Sequence, residues 1–250
     1  IVGMIAYTRN LAKELGVSVN TAKQFRGEIA KAGVQLAFLG QDAKAIAGEL
    51  VEAFGTTERI SQNTIVEIGK AATKLGAETK DIISIQKQLM DMTGASADAS
   101  MELITNIGRI ADAEGVGAGN VIADIASNME TFAEFSTMGA QGLAEAAVQA
   151  AKVGSSLENV TKFAEKLIDF ESSITAEFEA QVLTGKQLNL ERARELALQG
   201  DMAGLSKELQ STVGGLGEIQ TMNVVEKRAI SAAIGVSVAD LQKISRGEAI

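Results

Sequence analysis

The chain has 250 residues, 46% of them apolar and 22% charged, enough to bury a substantial core in one large or two modest domains. Cysteine and histidine are both absent, which excludes disulfides, thiolate nucleophiles, Cys/His zinc sites, haem ligation by histidine and every histidine acid–base dyad. The formal net charge of −9 has the wrong sign for a protein whose affinity comes from neutralising phosphates.

Proline is also absent, where average usage of about 5% is normal, and 25 glycines take over the breaks. A chain without proline, with Ala, Glu, Lys, Leu and Gln filling its long segments and hardly any alternating strand pattern, predicts an all-α fold. The longest uncharged stretch, AISAAIGVSVA at 229–239, is far short of the roughly 20 apolar residues that span a bilayer. The missing disulfides fit a reducing compartment. Ile1 in place of Met, with no leader pattern after it, reads as the start of a piece of a longer polypeptide.

Residues 11–25, LAKELGVSVNTAKQF, have the outline of the hairpin of a DNA-binding helix-turn-helix: a helix ending on Gly16, apolar Val17, a capping Ser18 and a second helix. Residues 1–31 hold Arg9, Lys13, Lys23, Arg26 and Lys31 against Glu14 and Glu28, a local +3 from five bases and two acids. Gly27, Gly33, Gly40 and Gly48 then interrupt the N-terminal run, each weakening a continuous helix by about 1 kcal/mol relative to Ala.

The opening pattern returns as ATKLGAETKDIISIQ at 72–86, AAKVGSSLENVTKF at 150–163 and AAIGVSVADLQKI at 232–244, and more loosely as ADAEGVGAGNVIADI at 111–125. Repetition along an acidic chain marks an architectural joint, not a series of DNA readers. Gly16, Gly76, Gly154 and Gly235 are expected to end helices in the left-handed conformation, and Ser18, Thr79, Ser156 and Ser237 to cap the helices that follow. Ser237 with Asp240, and Ser155 with Glu158, have capping-box spacing. On this reading the second helix of the opening hairpin packs through Val19, Ala22, Phe25 and Ile29, leaving Lys23 and Arg26 solvated or paired with acids.

Between the joints run helical stripes: Ile82, Ile85, Leu89 and Met92; Leu103, Ile104, Ile107 and Ile110; Phe163, Leu167, Phe170, Ile174 and Phe178. Each predicts one apolar face, buried against the same chain or against a partner. GVGAGN at 115–120 has G-x-G spacing, but no strand precedes it, so it reads as a helix joint and not as a phosphate loop. No D-x-D-x-D-G calcium loop occurs.

The one enzyme-like phrase is LIDFESSITAEFEAQ at 167–181, where FESS resembles the segment of lytic transglycosylases that carries a helix-borne catalytic glutamate, here Glu171. The downstream Gly/Ala-rich motif and groove aromatics of those enzymes do not follow. QVLTGKQLNLERARE comes next, with no tryptophan and Tyr7 as the only tyrosine. Glu171 is read as a solvated helix-face carboxylate, and no catalytic, cofactor-binding or metal-ligating residue is assigned.

Residues 169–214, DFESSITAEFEAQVLTGKQLNLERARELALQGDMAGLSKELQSTVG, with MNVVEKRAISAAIGVSVADLQKI at 222–244, resemble segments of tail tape measure proteins of tailed bacteriophages. The phrase LTGKQLNLERARELALQGD and the closing A-x-x-x-G-V-S-V-x-D-L hairpin carry the likeness. The resemblance implies a structural protein of the virion, made in the host cytoplasm. Such a protein occupies the tail lumen in sister copies, helps set tail length, meets tail-tube and baseplate or tail-tip proteins, and leaves during genome delivery. It implies neither a cofactor nor sequence-specific nucleic-acid binding.

Alternatives are an α-helical effector or pore-forming protein, which should carry a long apolar hairpin, and a helix-turn-helix DNA-binding protein, which explains the opening stretch but not its echoes. The expected organisation is glycine-interrupted helices over 1–55, helical hairpin repeats over 56–155, and a long helix plus C-terminal hairpins over 156–250.

Overall fold

A computed structural model describes residues 8–13, 15–58, 60–135, 139–217 and 219–247, with the side chains of 131–140 set aside. Ile1 and Glu14 lie outside the described residues. Among those described there is helix and no strand, as the missing proline and the helix-forming composition imply. Contacts divide the chain into two compact units, 1–104 and 105–250, a coarser division than the three segments read from the sequence.

In the first unit, helical residues 8–13 are followed by α1 (Val19–Leu36), α2 (Ala43–Phe54), α3 (Gln62–Leu75), α4 (Thr79–Thr93) and the first part of α5 (Ala97–Glu114). Helix α1 lies on α3 and α2 on α4, and α1, α2, α3 and α4 also touch in succession. Leu36, Ile46, Leu50, Ile65, Ile68 and Ile82 form the fully buried centre. Gly69 of α3 lets α1 close in, since a Cβ there would lie 2.7 Å from Leu36 Cδ2.

The second unit continues α5 into α6 (Ala118–Phe135), α7 (Gly139–Lys152), α8 (Leu157–Ile168), α9 (Phe170–Thr184), α10 (Glu191–Gln199), α11 (Met202–Gly215), α12 (Val224–Ile234) and α13 (Val238–Arg246). Helix α8 is the hub: α6, α7, α9, α10, α11 and α12 all pack on it. Its Leu157, Val160, Phe163, Ala164 and Leu167 are fully buried.

The repeated joint is a single hydrogen-bonding device. Gly16, Gly76, Gly115 and Gly154 all have positive φ, between 62° and 74°. The next residue's N–H reaches back five positions to a buried alanine's carbonyl: Val17 to Ala12 at 3.0 Å, Ala77 to Ala72 at 3.1 Å, Val116 to Ala111 at 3.0 Å and Ser155 to Ala150 at 2.8 Å. This is the Schellman closure. Gly235, at φ 82°, closes through its own N–H to Ser231 O at 2.8 Å.

Ser18, Ser156 and Ser237 cap as the sequence implies, accepting from the N–H groups of Thr21, Asn159 and Asp240. Three expectations are corrected. Thr79 is the first residue of α4, not its cap, and its hydroxyl donates to Glu49 Oε2 at 2.6 Å. Ser155 forms no box with Glu158, because the chain enters α8 one residue later, at Ser156. Ser237 and Asp240 form no reciprocal box either, since the Ser237 hydroxyl donates to Asp240 Oδ2 at 2.5 Å, and the complete box among the described helices joins Asn223 and Glu226 at the start of α12.

The expected long helix from 156 is two helices. Asp169 both ends α8 and caps α9, its carboxylate accepting from Ser172 N at 3.4 Å. The stripe Phe163–Phe178 therefore divides: Phe163 and Leu167 are buried, whereas Phe170, Ile174 and Phe178 are exposed. The other stripes keep their burial at Ile82, Ile85, Leu89, Ile104 and Ile107, but Met92 is exposed. In the opening hairpin Ala22 and Phe25 are buried and Ile29 half-buried, while Val19, at the first position of α1, is exposed. Lys23 is exposed and Arg26 donates to Thr8 Oγ1 at 3.1 Å.

Carboxylates from distant helices supply a second layer of capping. Glu28 of α1 accepts from Gln62 N at the start of α3 at 3.0 Å, and Asp124 of α6 from Leu157 N at the start of α8 at 2.7 Å. Each satisfies an orphan amide at a helix N-terminus, where the helix dipole also favours an anion. For Glu28 the bond from Gln62, helped by Lys31, holds the carboxyl below its usual range. At Asp124 the loss of hydration outweighs the bonds from Leu157 and Asn128 and pushes the carboxyl up to about 6.

Candidate functional site

Helix α9 does not bury its large apolar residues. The residues it buries are Ser173 and Ala180, small enough to let it lie close on α12, its main neighbour. Its large apolar residues face outward: Phe170, Ile174 and Phe178 at i, i+4 and i+8, followed by Val182 and Leu183, with Phe178 at 66% and Val182 at 65% exposure. A helix face of this kind loses burial stabilisation of roughly 25 cal/mol per Å² of apolar surface left in water.

After α9 the chain turns at Gly185, φ 66°, and returns through residues 186–190 into α10. Leu188 and Leu190 are buried and anchor the return. Polar ties fix it to α9. Gln181 Nε2 donates to Leu188 O at 2.8 Å, and Leu190 N to Glu177 Oε1 at 3.3 Å. The Arg194 guanidinium, largely buried, pairs with Glu177 Oε2 and donates through Nε to Ser173 Oγ at 3.1 Å. A single arginine thus locks α10 to the inner face of α9, with charge-assisted bonds that are stronger than neutral ones.

Between the two helices lies an open groove of about 910 Å³. Phe170, Ile174 and Phe178 form one wall, Leu198 of α10 stands on the other, and the Glu177–Arg194 pair lies along it. The base in its lining, Arg194, is paired with Glu177. Glu171, Glu179 and Glu191 are exposed, and no ion pair engages them among the described residues. Of these three only Glu191 lines the groove, whose wall is otherwise a mixture of the apolar residues with Glu177, Gln181, Gln187, Asn189, Arg194 and Glu195.

Glu171, the residue singled out by the FESS phrase, stands exposed in the first turn of α9. The glutamate that the geometry engages is Glu177, two turns on. No spacing in the sequence pairs it with Arg194, 17 residues on. No group of three or more His, Cys, Asp or Glu side chains is placed to hold a metal ion among the described residues. Nor is any helix there long and apolar enough to cross a membrane.

The groove falls within LTGKQLNLERARELALQGD and the helix before it, the stretch that carries the resemblance to tape measure proteins. Comparison with protein-family models, curated proteins and solved structures finds no match to this chain.

Proposed function

We propose that this chain is a structural segment of a tail tape measure protein of a tailed bacteriophage, acting through contacts with other proteins and not through catalysis. The observation that carries the reading is the outward apolar face of α9, which lies inside the stretch resembling that family. Exposed apolar patches rimmed by polar residues mark interaction surfaces. Helices joined by glycine closures, with no disulfide to lock them, suit a protein that associates with sister copies and tail proteins and then rearranges for release during genome delivery.

The reading places the protein in the virion tail lumen after synthesis in the host cytoplasm. In particles from the virus or prophage that carries the gene, mass spectrometry should find this chain in purified tails and find it depleted after triggered ejection. An in-frame deletion within the same open reading frame should shorten the tail in electron micrographs. Absence of the chain from purified particles overturns the reading.

A further inference from the structure

We propose that the break at Asp169 is a hinge, at which rotation about one backbone bond joins α8 and α9 into a single helix from Leu157 to Thr184. Asp169 alone separates the two helices. Its φ of −76° already lies in the helical range, and its ψ of 81° is what departs from the helical value of about −42°. Asp169 N reaches back to Glu165 O at 3.4 Å, and Ser173 N to Asp169 O at 2.8 Å, the four-residue step of a helix on either side of the break. The cap that holds the break open, Ser172 N to Asp169 Oδ1, is exposed and long at 3.4 Å.

The sequence favours the joined form. The apolar stripe keeps helical spacing through the break, at Phe163, Leu167, Phe170, Ile174 and Phe178, although its first two members are buried and its last three exposed. No glycine or proline occurs between Leu157 and Thr184. Joining would return the N–H groups of Phe170, Glu171 and Ser172 to the carbonyls of Lys166, Leu167 and Ile168, four residues back. The product is an amphipathic helix of 28 residues, the 12 of α8, Asp169 and the 15 of α9.

Tertiary ties favour the bent form. Arg194 bonds to Glu177 and Ser173, Gln181 bonds to the Leu188 carbonyl, and α9 packs on α12. All of these part when α9 swings into line with α8, and the α9–α10 groove dissolves with them. Asp169 is thus the hinge and Arg194 the clasp, and between them they set the balance of the two forms. The hinge belongs to the chain itself and does not depend on the tail assignment.

The test is double electron–electron resonance on the 250-residue chain, which has no cysteine of its own, with spin labels at Glu158→Cys and Glu179→Cys, both exposed positions. The joined helix sets these backbones about 32 Å apart, against a shorter distance in the bent form. The parent should show the shorter distance. Asp169→Ala, which removes the cap and supplies the best helix former, should bring in the longer one, and adding Arg194→Ala should make it the major one. Asp169→Gly removes the same cap but is a poorer helix former, so its ratio of long to short should be about fivefold smaller than that of Asp169→Ala. Helical circular dichroism checks that each variant is folded. Asp169→Ala leaves the Arg194 clasp in place, so it carries the test if the double variant unfolds. A single short distance in Asp169→Ala, or the same ratio for Ala and Gly at this position, overturns the proposal.

Discussion

Asp124 illustrates how one side chain can serve structure at a cost set by pH. It accepts from Leu157 N and from Asn128 Nδ2, at 2.7 and 3.0 Å, but its loss of hydration and the nearby Glu158 charge raise its carboxyl from 3.8 to about 6. A raised carboxyl means that the folded state holds the proton more tightly than the unfolded state. The associated stability is fully present below 3.8 and is lost as pH rises through about 6, a change of about 3 kcal/mol. Asp124→Asn keeps an acceptor for Leu157 N and removes the charge, giving up the bond from Asn128 Nδ2 to Oδ1 while Asn128 keeps its bond to the residue 124 carbonyl. Thermal melts should show the variant more stable than the parent at pH 7.5, with the advantage shrinking toward pH 4.5. An advantage that does not change with pH would exclude a titrating Asp124. Comparing parent and variant at each pH cancels Glu28 and Glu114, whose lowered carboxyls act in the opposite direction and lose their contribution on acidification.

At the scale of the element, the joint governs. Gly235 sits at φ 82°, and a Cβ there would stand 2.9 Å from Lys166 Cβ and 3.0 Å from the Lys162 carbonyl oxygen. Gly27 lies inside α1 with open space beside it. Gly235→Val should cost about 2 kcal/mol or more, through the left-handed strain of a β-branched residue and the clash with α8. Gly27→Ala should gain up to about 1 kcal/mol from helix propensity. Urea melts of the two variants test both, and equal effects would mean that the joint is not where the backbone places it.

The joints at Gly16, Gly76, Gly115, Gly154 and Gly235 were legible because a repeated phrase surrounds them. Gly40, Gly55, Gly94, Gly185 and Gly200 also take positive φ, yet their flanks share no phrase, so nothing separated them from glycines inside helices. The break at Asp169 was illegible for a different reason. It is made by a side-chain cap with neither glycine nor proline, in a stripe whose period runs on undisturbed. Periodicity shows that Phe170, Ile174 and Phe178 share a face, but it carries no information on what covers that face. Arg194, Ser173 and Glu177 come together only once α10 has folded back, so their meeting could not be read from spacing.

For the whole molecule the quantity that acts at a distance is charge. The chain carries −9 overall, while its opening hairpin is locally positive. Of the bases there, Lys31 is drawn to Glu28 and Arg26 to Thr8, and the helix that would be the reading helix turns Ala22 and Phe25 inward. Titrated against mixed duplex DNA at about 150 mM salt, the chain should bind no more tightly than the nonspecific range of about 10⁻⁴ to 10⁻⁶ M. Sequence-selective binding near 10⁻⁸ M, lost on Lys23→Ala with Arg26→Ala, would return the hairpin to the class of DNA readers.

The carboxylates that reach across to helix starts have a consequence for motion. The first amides of a helix ordinarily exchange with solvent by fraying, a local event of low energy. Gln62 N and Leu157 N are held by Glu28 and Asp124, residues 34 and 33 positions away along the chain. These amides exchange only when one helix separates from another, so their deuterium uptake reports the opening of tertiary contacts where it would otherwise report the looseness of an end. In each unit the start of a helix is thereby made a sensor of the packing around it.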